Sequence, residues 1–362
     1  MEIQKEVTLD AYTTLHIGGV ADYFVVVRSE GELRDAWRAA RDSDRRPFVL
    51  GGGSNVLIAD GALPLFVIKN ELAGIAYEEE HEGRVLVTAA AGVGWDELVA
   101  ATVARGFSGL ENLSGIPGTV GAAPVQNINA YGATVAEVID SVTVYDGGSD
   151  STFTLSSSAC EFGYRDSVFK REVNAAWVVT AVTFRLVAAM HINVTYRSSS
   201  QSIGRYLTEH SIDAPTSADI RAAILHLRSN IGMLAGQYRS AGSFFKNTIV
   251  DVATFTRISE IVERDFATLG TQNAPWHWSL PEGREKIATA FLLECSPYNK
   301  NTYGIQRFNG VVGLSPLHSL SIVTEDGATT NDVVTFVEEI KTAVKNIFAV
   351  DLATEVDYIP HS

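Results

Sequence analysis

Three consecutive glycines directly after a short apolar strand constrain this chain more than any other feature. Gly51, Gly52 and Gly53 follow Phe48-Val49-Leu50 and precede Ser54 and Asn55. Glycines let backbone N–H groups approach a pyrophosphate without obstruction by Cβ, and Ser54 and Asn55 add side-chain donors. An ordinary tight turn is the alternative. Because the G-x-G-x-x-G spacing is absent and Val56-Leu57-Ile58 continues as a strand, the pattern disfavours a Rossmann dinucleotide site.

A second segment of small residues occupies residues 115–132. It reads Gly115-Ile116-Pro117-Gly118-Thr119-Val120-Gly121-Ala122-Ala123-Pro124 and ends at Tyr131-Gly132. Small residues over such a length indicate close approach of the backbone to a diphosphate or to a flat ligand such as an isoalloxazine ring. From composition alone, a long and well-packed loop is the alternative.

Two shorter motifs carry polar groups suited to proton transfer and anion binding. The stretch Ser240-Ala241-Gly242-Ser243-Phe244-Phe245-Lys246-Asn247 places a hydroxyl, an ammonium and an amide within five residues. The stretch Phe162-Gly163-Tyr164-Arg165-Asp166-Ser167 carries a guanidinium, whose planar fork of donors suits a carboxylate. Each motif alone is a weak signal, since Gly-Ser pairs occur in many turns and a lone arginine is usually a solvated surface charge.

Composition bounds the class of protein. A chain of 362 residues predicts two or three compact units, and 46% hydrophobic with 20% charged residues is typical of a soluble globular protein. The net charge of −15 disfavours general binding to nucleic acid or anionic membranes, but not to a phosphorylated small molecule. Cys160 and Cys295 cannot form a disulfide framework, and we expect both to be small buried hydrophobes without a metal site in the chain. No secretory signal is expected at the N-terminus.

Hydrophobic periodicity predicts an α+β protein that changes character near residues 190–200. Strands are predicted at 21–27, 47–50, 65–69, 84–90, 141–145, 151–155, 177–187 and 191–196. Helices are predicted after Ser29, where Glu32 takes the capping-box position, and at 95–105, 217–228 and 332–348.

Taken in order, these motifs resemble the UDP-N-acetylenolpyruvoylglucosamine reductases, in the subgroup with an extra tyrosine loop. The resemblance implies a two-lobed FAD-binding domain of the PCMH (vanillyl-alcohol-oxidase) type at residues 1–190, split near 70. An α+β substrate-binding domain at 191–352 would follow, and residues 353–362 would return to the active site.

The resemblance also implies roles for individual residues. It makes Arg165, Ser243 and Glu355 catalytic, with Arg165 on the substrate carboxylate and Ser243 as the proton donor. The implied FAD-binding residues are Gly51, Gly52, Gly53, Ser54, Asn55, Pro117, Gly118, Gly121, Ala122, Ala123, Gly132 and Val179. The implied substrate-binding residues are Tyr196, Asn247, Lys300 and His318.

The sequence departs from the family pattern at several positions. Relatives typically carry Lys-Gly-Met before the serine loop, with the lysine on the substrate diphosphate, whereas this chain has Ile231-Gly232-Met233. Thr248 stands where proline is usual, Asp357 where arginine is frequent, and Asn129 where glycine is usual. Lys300 is a candidate for a second phosphate-binding lysine.

The implied function is reduction of UDP-N-acetylglucosamine-enolpyruvate to UDP-N-acetylmuramate for peptidoglycan, with non-covalent FAD and with NADPH as reductant. Because of the departure at Ile231, a paralogue that reduces another enolpyruvyl ether, such as a nucleoside-type metabolite, is an alternative. A flavoprotein oxidase of the same fold is another. We expect a cytoplasmic monomer whose partner is a small-molecule nucleotide sugar.

Overall fold

Parallel pairing of three apolar strands, with a polar fourth strand added antiparallel, builds the first sheet of the computed structural model, which describes residues 1–188, 194, 202–273, 275–304 and 308–360. Its strands, in the spatial order β1-β2-β5-β3, are β1 (Ile3–Thr8), β2 (Val20–Val27), β5 (Ala62–Asn70) and β3 (Arg46–Leu50). Strands β3 and β5 run parallel with Leu50 opposite Lys69, so the glycine run leaves the sheet at the carboxyl end of β5. The Lys69 ammonium donates to the Gly51 carbonyl there.

Helix α1 (Glu30–Asp42) covers this sheet with its predicted apolar face, since Leu33, Ala36, Trp37 and Ala40 are all buried. Ser29 caps it as predicted, accepting the Glu32 N–H. The reciprocal half of the capping box differs: the Glu32 carboxylate accepts from the Arg28 N–H, one residue beyond the N-cap.

A second, antiparallel sheet follows. Its strands, in the order β12-β11-β13-β7-β6 with β8 beside β13, are β6 (Ile75–Glu79), β7 (Arg84–Ala90), β8 (Phe107–Ser108), β11 (Ile139–Asp146), β12 (Ser151–Ser156) and β13 (Trp177–Ala188). Helices α2 (Trp95–Ala104) and α3 (Ala122–Gln126) and the hairpin β9 (Asn129–Ala130) and β10 (Ala133–Thr134) flank it. The predicted strands within 84–187 and the helix at 95–105 are therefore confirmed, to within a residue or two at each end.

The described residues of the second half form two three-stranded sheets and most of the helices. One sheet has the order β14-β19-β18, from β14 (Ser240–Ser243), β18 (Val312–Ser315) and β19 (His318–Thr324). The other has the order β15-β17-β16, from β15 (Thr248–Asp251), β16 (His277–Leu280) and β17 (Arg284–Ile287). The helices of this half are α4 (Ile203–Glu209), α5 (Ser217–Asn230), α6 (Val252–Asp265), α7 (Ala267–Gln272), α8 (Thr289–Glu294) and α9 (Thr330–Phe348).

Two features tie this half to the first. Helices α4 and α5 bury Ile203, Ile220 and Ile224 in a cluster with Tyr131. The last strand, β20 (Asp357–Ile359), runs parallel to β4 (Val56–Ile58), so the C-terminal residues lie beside the segment that follows the glycine run.

The predicted α+β class is confirmed, whereas the domain limits 1–190, 191–352 and 353–362 remain predictions. The strand predicted at 191–196 falls almost wholly outside the described residues. Within the described ranges, no helix combines the length and apolar character needed to cross a membrane.

Candidate active site

A cavity of about 250 Å³ lies where residues from both halves of the chain meet. Nine predicted site residues line it, namely Ser54, Asn55, Pro117, Ala122, Ala123, Arg165, Ser243, His318 and Glu355. Their wide separation in sequence means that the fold, and not local sequence, assembles this cavity.

The glycine run packs directly against the second small-residue segment. A Cβ at Gly52 would lie 2.8 Å from Gly118 Cα, and one at Gly51 would lie 2.7 Å from Thr119 Oγ1. A Cβ at Gly53, which has φ +63°, would lie 2.0 Å from the Tyr12 carbonyl oxygen. Glycine is therefore required here for loop-to-loop packing, which leaves Ser54 and Asn55 at the cavity wall.

Arg165 reaches the cavity from a tight turn. Gly163 and Asp166 exchange backbone hydrogen bonds of 2.9 and 3.3 Å across this turn, and Arg165 has φ +53°. A non-glycine residue in the left-handed region costs about 1–2 kcal/mol. Such strain is common at functional sites, where the surrounding structure holds the residue in place.

Arg165 and Glu355 form an ion pair inside the cavity. Arg165 Nε lies 2.7 Å from Glu355 Oε1, and the two side chains are only 15% and 11% exposed. The Nε–H does not point at that oxygen, so this buried donor has no aligned hydrogen-bond acceptor among the described residues. The guanidinium is thus neutralised by Glu355 but retains a donor for another acceptor.

Glu355 is positioned through its backbone. Its N–H donates to the Phe244 carbonyl at 2.8 Å, and the Asn55 amide donates to its carbonyl at 3.2 Å. The Gln126 amide makes a longer contact with the same carbonyl, at 3.4 Å. Glu355 therefore joins the glycine run, the second small-residue segment and the serine loop.

Ser243 ends β14 at the cavity wall. The preceding Gly242 has φ +74°, and its N–H donates to Ser240 Oγ at 3.0 Å. Ser240 Oγ also contacts Ser321 Oγ at 2.7 Å, and the Phe244 N–H donates to the Leu320 carbonyl at 2.8 Å. These contacts fix the backbone on both sides of Ser243.

His318 faces the cavity as a neutral donor. Its Nδ1 lies 3.1 Å from the Leu320 N–H, which can only donate, so Nδ1 accepts and the proton sits on Nε2. Burial, reinforced by the charges of Lys300 and Arg228, lowers the pKa of His318 to about 4. At neutral pH the ring therefore offers one N–H donor without adding charge.

Other predicted residues lie outside the cavity wall. Lys300 Nζ is 3.8 Å from Glu294 Oε1, and Asn247 Oδ1 accepts the Thr289 N–H at the start of α8. Val179 is mostly buried in the core of the second sheet. Gly51, Gly52, Gly53, Gly118, Gly121 and Gly132 are likewise absent from the cavity wall formed by the described residues. Tyr196 lies outside the described residues.

Several lining residues were missed by the sequence reasoning. The most notable is Arg228, near the end of α5, whose Nε donates to the Gly115 carbonyl at 3.0 Å. Burial lowers the pKa of Arg228, a sign that this guanidinium is poorly solvated. Ile231, the departure from the family pattern, also lines the cavity. A basic residue ending an amphipathic helix was the available signal for Arg228, but such residues are usually solvated.

The cysteines do not contribute a nucleophile. Burial raises the pKa of Cys160 to about 11, and burial with the nearby Glu294 charge raises that of Cys295 to about 12. Both are buried thiols at neutral pH, as predicted. Among the described residues, no group of three or more His, Cys, Asp or Glu side chains is arranged to hold a metal ion.

Two family models match separate parts of the chain. Residues 21–155 match the model of an FAD binding domain. Residues 235–359 match the model described as the UDP-N-acetylenolpyruvoylglucosamine reductase C-terminal domain.

Curated relatives align over nearly the whole chain. A UDP-N-acetylenolpyruvoylglucosamine reductase of Thermobifida fusca is 37% identical over 97% of this chain and 96% of its own length. One of Salinispora arenicola is 39% identical, covering 97% and 94%, and one of Pseudomonas aeruginosa is 34% identical, covering 98% of each. The crystal structure of the Thermus caldophilus reductase aligns with a TM-score of 0.62 at 22% identity, over 99% of this chain and 100% of that one, which supports the fold.

Proposed function

The chain belongs to the UDP-N-acetylenolpyruvoylglucosamine reductase family, and we propose that it reduces UDP-N-acetylglucosamine-enolpyruvate to UDP-N-acetylmuramate for peptidoglycan synthesis. FAD is its cofactor, bound without a covalent link in this proposal, and NADPH is the proposed reductant. The observation that carries the proposal is the meeting of Arg165, Glu355 and Ser243 in one cavity bordered by both small-residue segments.

Residues 51–55 and 117–123 would hold FAD, which when bound supplies the hydride for the reduction. Two features fit such a group: the paired loops of small residues, and the Ser54 and Asn55 side chains that these loops place at the cavity wall. The cavity, at about 250 Å³, is smaller than the ~300–1,000 Å³ of pockets for drug-sized ligands. It would therefore enclose the reacting ends of cofactor and substrate, with the remainder of each outside.

The residues in the cavity suit the chemistry of an enolpyruvyl ether. The enolpyruvyl group is a vinyl ether conjugated to a carboxylate, so reduction at its terminal carbon builds negative charge toward the carboxylate. Arg165 would bind that carboxylate and stabilise the charge, because its fork of donors lies in a poorly solvated site. Glu355 would orient the guanidinium through the 2.7 Å ion pair.

Ser243 would then donate its Oγ proton to the other carbon of the former double bond. Its backbone is fixed on both sides, which holds the Cβ that carries the hydroxyl at one place on the cavity wall. His318 would donate its Nε2–H to a polar group of the substrate.

A two-step anaerobic experiment tests the proposal. Purified protein should be yellow, release intact FAD on denaturation and be bleached by NADPH. UDP-N-acetylglucosamine-enolpyruvate should then restore the oxidised flavin spectrum. Flavin retained by denatured protein would contradict the non-covalent assignment, and failure of NADPH to bleach it would contradict the proposed reductant.

A paralogue acting on another enolpyruvyl ether is the second candidate, favoured by Ile231 at the cavity wall. In the same experiment this paralogue would be bleached by NADPH but not reoxidised by the UDP sugar. An oxidase of the same fold would instead fail at the first step, because NADPH would not bleach its flavin.

We further propose that the protein is a cytoplasmic monomer that acts on a small molecule and binds neither nucleic acid nor membranes. The net charge of −15 supports this, because anionic polymers and lipid surfaces would repel it. Light scattering during size-exclusion chromatography should give a mass near 39.1 kDa, whereas twice that value would contradict the monomer.

A further inference from the structure

One loop of the cavity wall is held by hydrogen bonds on two sides. We call residues 113–121 the Gly115 loop; its Ile116, Pro117 and Thr119 line the cavity. The first residue of α2 holds one side: Trp95 Nε1–H donates to the Leu113 carbonyl at 2.9 Å, and the Trp95 N–H donates to the Gly118 carbonyl at 3.0 Å. These bonds fix the loop on both sides of Ile116 and Pro117.

Helix α5, from the second half of the chain, holds the other side at Gly115. The Gly115 N–H donates to Asp96 Oδ1 at 2.6 Å, and its carbonyl accepts from Arg228 Nε at 3.0 Å. Arg221 binds the same Asp96 in a bidentate pair, Nη1 to Oδ1 at 2.6 Å and Nη2 to Oδ2 at 2.8 Å. Arg221 and Arg228, about two helical turns apart on α5, thus act on a single residue, one through Asp96 and one directly.

The backbone conformation and close packing of Gly115 favour glycine at this position. Its φ of +70° is unfavourable for other residues, and an added Cβ would lie 2.9 Å from Leu234 Cδ2 and 3.0 Å from Leu225 Cδ2. Burial alone would raise the pKa of Asp96, but Arg221 and the Gly115 N–H outweigh burial and hold it below its usual value. Asp96 is therefore held as a carboxylate, which accepts from both the Gly115 N–H and Arg221.

We propose that Arg221 and Asp96 are positioning residues for FAD, which set the Gly115 loop against the flavin from outside the cavity. Neither lines the cavity, so both act through Gly115. The inference rests on the placement of FAD proposed above. It means that a helix of the second half of the chain completes the flavin site of the first.

The test measures FAD affinity and not turnover. Deflavinated protein is titrated with FAD, binding is followed by flavin fluorescence, and the visible spectrum of the complex is recorded. Arg221→Met and Asp96→Asn should each weaken binding by about tenfold or more, equivalent to about 1.4 kcal/mol. The double variant should bind FAD no more weakly than the single variant with the lower affinity, because both substitutions remove the same interaction. Arg221→Lys keeps the charge but not the planar pair of donors, and its FAD affinity should lie between those of the wild type and Arg221→Met.

The control is Arg205→Met, which removes an exposed ion pair with Glu209 on α4 and should leave FAD affinity unchanged. FAD affinities within about twofold of the wild type for Arg221→Met and Asp96→Asn would overturn the proposal. So would additive losses in the double variant. If Arg221→Met does not fold, the FAD affinity of Arg221→Lys serves as the test, and a value within about twofold of the wild type would overturn the proposal. Failure of the wild-type protein to bind FAD would instead refute the proposed function.

Discussion

Replacing Glu355 with glutamine should destabilise the protein far more than loss of an exposed carboxylate. The ion pair joins Arg165 Nε to Glu355 Oε1 over 2.7 Å, with side chains 15% and 11% exposed. Removing one partner of a buried pair leaves the other charge uncompensated, which costs about 3–5 kcal/mol. Because both side chains keep some exposure and the Arg165 Nε–H is misaligned, we expect Glu355→Gln to cost about 3 kcal/mol, the lower end of this range.

Equilibrium urea unfolding of the deflavinated protein, followed by tryptophan fluorescence, measures this cost without the linkage to FAD binding. The double variant Arg165→Met/Glu355→Gln should recover much of the loss, since no uncompensated charge remains. The control is Glu209→Gln, which removes an exposed carboxylate on α4 and should leave the free energy of unfolding unchanged. A loss for Glu355→Gln no greater than that control would refute the reasoning.

Two further substitutions probe the cavity wall. His318 has a pKa of about 4 when folded, against 6.5 ordinarily, so the unfolded chain binds more protons between these values. Its contribution to the free energy of unfolding, about 3 kcal/mol, is complete above pH ~6.5 and is lost as pH falls toward ~4. His318→Gln should therefore flatten this part of the plot of urea midpoint against pH. An unaltered slope would contradict the assignment. Ile231→Lys should add a charge-assisted bond to the substrate diphosphate, typically ~1.5–3 kcal/mol, and tighten UDP-sugar binding by about tenfold or more in calorimetry. Ile231→Met is the neutral control, and equal affinities for the two variants would contradict this role.

Local pattern predicted the elements of the first half well. The periodicity of Leu33, Ala36, Trp37 and Ala40 gave α1 and its buried face, because helical spacing places them on one side. The polar cap of α1 was right at Ser29 but wrong for the Glu32 carboxylate, which reaches Arg28. Which backbone N–H a flexible carboxylate finds depends on the chain before the helix, and spacing alone does not encode this.

The cavity was predictable only where a motif identified its residues. Arg165, Ser243 and Glu355 were predicted from the family resemblance, and their meeting depends on long-range pairing such as that of β20 with β4. A three-residue strand has too little pattern to reveal its partner. Arg228 was missed for the same kind of reason, since its burial follows from the docking of α5 on the Gly115 loop.

The reaction of Ser243→Ala protein in its two separate half-reactions tests the central claim most directly. NADPH should still bleach the flavin at a near-normal rate, because that step needs no proton from the serine. Reoxidation by the enolpyruvyl substrate should slow by about 10²–10⁴-fold, the range for loss of a positioned general acid, and Ser243→Cys should recover part of the rate. Equal slowing of both half-reactions would contradict proton delivery by Ser243 and would assign the serine to maintaining the shape of the site.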